Sequence, residues 1–229
     1  MKCAIAIFAK TVGLSPVKTR LAADIGTENA EAFYKLSVQA VKAIASDAAI
    51  RNADMVPHWV LAEEGAVGRD EWRSFPAIWT GEGGLGKRLA NVSEQLFETH
   101  DAVMFVGTDS PQLQADRFLD ALAHLQEYPH MHVAGPAVDG GFYLFGSTTP
   151  VHREIWEAVT YSADTTLDDL ETRIEEAGGS TGRIDVEQDV DTLKDLEVLK
   201  TELQRRSGEL LPEQIQLLRW VNDYFEVAV

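Results

Sequence analysis

The chain has 229 residues, 45% of them apolar and 25% charged, with a formal net charge of −17. This is an ordinary globular composition. No run approaches the roughly 18 uncharged apolar residues of a membrane span, and the acidity argues against a nucleic-acid binder, which needs a basic face. The single cysteine, Cys3, excludes an internal disulfide and fits a reducing compartment.

The opening MKCAIAIFAKT has a basic start, but its apolar run ends at Ala9, where Lys10 interrupts it before any small-residue cleavage site. A first buried strand over 3–9 explains it better than a leader, so a cytoplasmic protein with Cys3 as a packed thiol is expected. Helical spacing follows over 28–46, with Ala32, Leu36, Ala40 and Ile44 on one face. Short strands are predicted at 58–63 and 77–80, a helix at 85–100, and a strand at 102–107. An amphipathic helix over 115–126 precedes strands at 132–137 and 141–146. A helix over 165–179 is closed by glycine, then come a last strand at 182–186 and a helix at 192–206. Strands separated by helices of this length imply a mostly parallel sheet covered on both faces. One domain over 1–206 is expected. Beyond it, 207–229 forms a helical extension with Ile215, Leu218, Val221 and Phe225 in one stripe, packing on the domain or on a second subunit as a homodimer would provide.

Five stretches carry chemistry. In FAKTVGLSPVKTRLA (8–22) a strand ends at Ala9 and a Gly/Pro loop follows, carrying Lys10, Lys18 and Arg20. From Met1 to Ala23 there is no acid at all, although the chain as a whole is acidic. Ligands of open α/β sheets sit beyond the carboxyl ends of strands, and free backbone N–H groups with three cations suit a polyphosphate. There is no P-loop motif. GEGGLGKRL (81–89) is a glycine-rich turn opening a helix, where backbone can approach a flat ligand closely. In GTDSP (107–111), Asp109 ends an apolar strand; either the stretch is an Asx turn with Asp109 or Ser110 capping the next helix, or Asp109 holds a hard cation. Asp139-Gly140-Gly141 joins two strand-like runs and is a hairpin signal in its own right. In DVEQDVDTLKDL (185–196), Thr192 and Asp195 have capping-box spacing, while Asp189 and Asp191 are a carboxylate pair that a divalent cation would stabilise.

Taken in this order, FAK…PVKTRLA, GEGGLGKRL, GTDSPQL, GPAVDGGFYLFG and DVDTLKDL resemble the DUF2064 family, from about residue 3 to about residue 200. That family is grouped with the nucleotide-diphospho-sugar transferases of glycosyltransferase-A-like fold, so the resemblance implies a Rossmann-like three-layer α/β/α sandwich with a mostly parallel sheet. VKTRLA is also similar to the start of 2-phospholactate guanylyltransferases, and DVDT to the D-x-D-T of sugar-acid cytidylyltransferases. The resemblance implies a transferase, either a glycosyltransferase or a nucleotidyltransferase. Its nucleotide site would comprise Ala9, Lys10, Lys18, Arg20, Gly83, Gly86 and Asp109. Mg²⁺ or Mn²⁺ would be held by Asp109 with Asp189 or Asp191, and catalysis carried by Lys18, Arg20, Asp109 and Asp139, the last lining the acceptor pocket. A nucleotide or nucleotide sugar and a small acceptor are the implied partners. A non-catalytic nucleotide-binding module is the competing reading. Tyr161 stands where the family carries tryptophan.

Overall fold

Alternation along the first strand sets the architecture. In β1 (Cys3–Ala9), Cys3, Ile5 and Ile7 enter one core, and Ala4 and Ala6 enter another on the opposite face. β4 (Ala102–Val106) repeats this, with Met104 on the first face and Val103 and Phe105 on the second. A strand buried on both sides must be covered by helices on both sides.

The computed structural model describes residues 1–227 and shows that arrangement. The remaining strands are β2 (Met55–Leu61), β3 (Ala77–Trp79), β5 (His132–Pro136), β6 (Phe142–Ser147) and β7 (Thr181–Arg183). They form one seven-stranded sheet in the order β3-β2-β1-β4-β6-β5-β7. All neighbours pair in parallel except β6, which runs antiparallel to β4 and β5. The reversal comes from the Asp139-Gly140-Gly141 turn, whose length allows only a hairpin; Gly140 has φ 89° there. A side chain at Gly140 would bring Cβ to 1.9 Å from the Asp164 carbonyl oxygen, so the turn and the 161–165 loop are packed backbone to backbone.

The helices are α1 (Thr19–Ile25), α2 (Thr27–Arg51), α3 (Leu85–Phe97), α4 (Ala115–Glu127), α5 (Arg153–Ala158), α6 (Thr166–Glu176), α7 (Leu193–Arg205) and α8 (Pro212–Val227). α2 and α4 cover the first face through Val38, Val41, Phe118 and Leu122. α3, α5 and α6 cover the second through Leu89, Trp156 and Leu170. A third cluster joins α1, α2, α7 and α8, with Leu21, Phe33, Leu199, Leu217 and Val221 fully buried. The extension after 206 therefore rests on the same body as the sheet. No described helix is long and apolar enough to cross a membrane.

The structure departs from the predicted elements in a few places, each with a local cause. The strand expected at 182–186 covers only Thr181–Arg183, because Asp185 and Glu187 turn away to the Arg117 guanidinium, both at 2.8 Å. α5 was not foreseen, its six residues being too few for a helical period to show. On α8 the fully buried face is Gln214, Leu217 and Val221 rather than Ile215, Leu218, Val221 and Phe225. Cys3 is the packed thiol expected: it is fully buried, and burial pushes its pKa up to about 12.

Candidate functional site

The loops that leave the carboxyl ends of β1, β4 and β5, and the 184–191 segment after β7, meet around one cleft of about 640 Å³. Ala9, Lys10, Lys18, Arg20, Gly83, Asp109, Asp139, Asp189 and Asp191 all line it. These come from five separate stretches of sequence, so the sheet topology brings together what the motifs suggested one by one. Gly86 does not line the cleft: its Cα faces the Trp156 carbonyl oxygen, which a Cβ would meet at 2.1 Å. Its smallness serves the close packing of α3 on α5.

Lys18 is the centre of the arrangement. Its Nζ lies 2.5 Å from Asp109 Oδ1 and 3.0 Å from Asp191 Oδ1, and donates to the Val190 carbonyl at 2.6 Å. All three ammonium protons thus have acceptors, as a side chain only 3% exposed requires. Burial alone would lower the Lys18 pKa, but the carboxylates of Asp109 and Asp191 outweigh it and hold it above the ordinary lysine value. The backbone at Lys18 is left-handed, φ 46° and ψ 45°, one of two described non-glycine residues with positive φ. A non-glycine residue held there stores strain that the surrounding contacts must outweigh. Arg20 sits further out, 68% exposed, with Nη1 3.6 Å from Asp191 Oδ2.

The carboxylate loops are tied to each other before they are tied to Lys18. Val190 N–H donates to the Asp109 carbonyl at 3.0 Å, and Gln112 Nε2 donates to the Gln188 carbonyl at 2.6 Å. Ser110 Oγ donates to Asp189 Oδ1, and Ser37 Oγ to the Thr108 carbonyl. Neither Asp109 nor Ser110 caps the next helix, whose N-cap, Gln114, makes no side-chain cap bond. The capping box of Thr192 and Asp195 is present, and the Asp195 carboxylate also accepts the Asp191 N–H at 3.1 Å, so helix initiation fixes that end of the pair. Enclosure, followed by the charge of Asp109, pushes the Asp189 carboxyl up to about 7, against the opposing Ser110 hydrogen bond.

The acid-free N-terminal stretch thus meets acids from distant segments. Glu63 Oε2 accepts the Thr11 N–H at 3.0 Å, and Asp109 and Asp191 take Lys18. Tyr34 of α2 closes the first turn of the loop, accepting the Lys10 N–H at 2.7 Å and donating to the Lys10 carbonyl at 3.1 Å. Asp139 is exposed at the rim, with Oδ1 accepting the Gly141 N–H at 2.9 Å. Asp109 and Asp191 thus converge on one cation, the Lys18 ammonium, while Asp189 is engaged by Ser110. Among the described residues no three His, Cys, Asp or Glu side chains are arranged around one metal position.

Sequence reasoning missed two groups of cleft residues. In the sequence Ser110 reads only as a candidate helix cap, because its partner Asp189 is 79 residues away. Phe8, Leu85, Phe142 and Tyr161 also line the cleft. Phe8, the last side chain before the loop, offered the clearest signal, since its parity with Ala4 and Ala6 assigns it to the second face.

Solved structures share this fold. One described as a "putative nucleotide-diphospho-sugar transferase" from Desulfovibrio desulfuricans G20 superposes with a TM-score of 0.81 at 24% identity, covering 97% of this chain and 98% of its own. A CMP:2-keto-3-deoxy-manno-octonic acid synthetase complexed with CTP matches with a TM-score of 0.54 at 15% identity, covering 91% of this chain and 100% of its own. A cytidylyltransferase from Leptospira borgpetersenii serovar Hardjo-bovis (strain JB197) gives 0.57 at 12% identity, covering 99% of this chain and 96% of its own. No curated protein matches the chain. At these identities the likeness establishes the fold alone, a mostly parallel α/β sandwich shared with these structures. The profile of one family, described as "Uncharacterized protein conserved in bacteria (DUF2064)", matches residues 37–163, more than half of the sequence, and the chain belongs to that family.

Proposed function

We propose that the cleft is the active site of a divalent-metal-dependent transferase acting on a nucleotide-diphospho-sugar. The observation that carries this reading is the meeting of Asp109 and Asp191 on one cationic nitrogen beside the basic loop, at 2.5 and 3.0 Å. The Lys18 ammonium is a stand-in cation. Two carboxylates with the Val190 carbonyl are the hard oxygen donors that Mg²⁺ or Mn²⁺ takes. An ion bound by Asp109 and Asp191, with Asp189 beside them, would neutralise charge growing on the leaving phosphate.

The chain's own residues supply the rest. Lys10, Lys18 and Arg20 hold the phosphates, Lys18 by exchanging its carboxylate partners for phosphate oxygens. The backbone at Ala9 and Gly83 lies against the ribose and base. Asp139 has one oxygen fixed by Gly141 and offers the other to the acceptor hydroxyl. The acceptor oxygen bonds to the anomeric carbon, the bond from that carbon to the phosphate oxygen breaks, the nucleoside diphosphate leaves, and the hydroxyl proton passes to Asp139. No covalent enzyme nucleophile is required.

A second reading, nucleotidyl transfer with release of pyrophosphate, is favoured by the three cations Lys10, Lys18 and Arg20 that follow β1, which suit a triphosphate. Incubation with Mg²⁺ and UDP- or GDP-sugars should release the nucleoside diphosphate. Incubation with each NTP and a set of sugar phosphates should yield no pyrophosphate. Pyrophosphate release selects the second reading, and silence in both arms removes both.

A further inference from the structure

The cleft straddles the carboxyl edge of the sheet, and its two sides differ in chemistry. On the α2 side stand Val17, Tyr34 and the Lys18 cluster. The α3, α5 and α6 side is walled by Phe8, Leu85, Leu89, Phe105, Phe142 and Tyr161. Phe8 and Phe105 meet edge to face at 5.9 Å, and Leu85, in the first turn of α3, is 46% exposed. Exposure of a large aliphatic side chain at the mouth of an aromatic-walled cleft leaves apolar surface for a ligand to cover.

Several polar groups on this side are already bonded within the protein, while, among the described residues, the exposed Ser162 hydroxyl and the Arg88 Nη groups remain free at the rim. Tyr161 Oη donates to the Trp156 carbonyl at 2.9 Å. Thr166 Oγ1, with one proton to donate, lies 3.0 and 2.8 Å from the Thr160 and Ala163 carbonyls and accepts the Ala163 N–H at 3.2 Å. Thr80 Oγ1 donates to the Gly81 carbonyl at 3.1 Å, and Arg88 Nε to the Gly83 carbonyl at 2.9 Å. A polyol such as a sugar would reach Ser162 and Arg88 at the rim, but the Phe8–Leu85–Phe142–Tyr161 face itself would leave its other hydroxyls without a partner. Each desolvated, unpaired hydroxyl is costly, whereas an apolar body loses nothing there.

We infer that the acceptor has an apolar body, an aryl or isoprenoid alcohol rather than a sugar, seated on the Phe8–Leu85–Phe142–Tyr161 wall with its hydroxyl toward Asp139. This rests on the transferase reading above, and it specifies the acceptor class of that same site. The test is equilibrium binding to the full chain, with 4-methylumbelliferone as the fluorescent aryl alcohol and geraniol and glucose as competitors. A separate titration with each NTP and with UDP- and GDP-sugars in Mg²⁺ checks the nucleotide site. The umbelliferone should bind, geraniol should displace it, and glucose should not. Leu85→Ser, at an exposed position the fold tolerates, should weaken the aryl alcohol roughly five- to tenfold and leave nucleotide affinity unchanged. Displacement by glucose, absence of umbelliferone binding, or a Leu85→Ser effect on nucleotide alone would overturn the inference. Loss of the transferase reading would instead show as failure of every nucleotide to bind, whatever the alcohols do.

Discussion

Lys18 combines two unfavourable conditions, a left-handed backbone and a desolvated ammonium, and both are offset by the same two carboxylates and one carbonyl. Asp109 and Asp191 remain 48% and 39% exposed on their outer sides, so a ligand can reach them without unfolding the loops. Asp189 is the opposite case. Its carboxyl is pushed up to about 7 by enclosure and by Asp109, so the folded protein binds its proton more tightly than the unfolded chain does. Its contribution to stability is present below the ordinary carboxylate range and is lost as pH rises through about 7. Asp189→Asn, which keeps the shape and an acceptor for Ser110, should therefore raise Tm little at pH 4. At pH 8 the gain should be about 2–4 °C for each kcal/mol recovered, with about 1 kcal/mol or more expected. Thermal melts of both proteins without added metal at the two pH values check this, and an equal gain at both would contradict it. That Asp189 and Asp191 belong to one site was legible from their spacing. Their division of labour was not, because it depends on Ser110 and Lys18, which are 79 and 173 residues distant.

Among the elements, α8 extends beyond the matched part of the family and yet reaches the carboxylate loop. Gln214 Nε2 donates to the Pro111 and Leu113 carbonyls at 2.9 and 3.0 Å, and its Oε1 accepts the Leu211 N–H at 3.1 Å. Arg206 Nη1 adds a bond to the Gln112 carbonyl at 3.0 Å. The helix thus braces the segment that follows Asp109. Gln214→Leu, close in volume, strands two buried carbonyls and should cost roughly 1–3 kcal/mol of stability, read by urea denaturation with unchanged m. A cost near zero would mean that the bonds do not brace the loop. The apolar stripe predicted for this helix was rotated from the observed face because Gln214 is buried, and a pattern of apolar residues cannot register a buried glutamine. The sheet, by contrast, was readable. Strands buried on both faces show as short apolar runs, and Asp139-Gly140 marked the reversal at β6. α5 and the early end of β7 were not readable, one being too short and the other set by the distant Arg117.

At the scale of the whole molecule, an acidic chain of net charge −17 gathers Lys10, Lys18 and Arg20 at the carboxyl edge of its sheet and faces them with Asp109, Asp189 and Asp191. Alone, such a cleft balances its own charges. With a polyphosphate and a divalent cation, the cations would turn to the phosphate and the carboxylates to the metal, so the two ligands should bind together and reinforce each other. The most direct measurement is calorimetric titration of the four NTPs and of UDP- and GDP-sugars, with Mn²⁺ and with EDTA, into the wild-type protein and Asp109→Asn. At least one nucleotide should bind with Mn²⁺, lose about tenfold or more in affinity with EDTA, and lose as much in Asp109→Asn. Binding that is indifferent to both the metal and Asp109 would make the cleft a plain nucleotide-binding module and contradict the account.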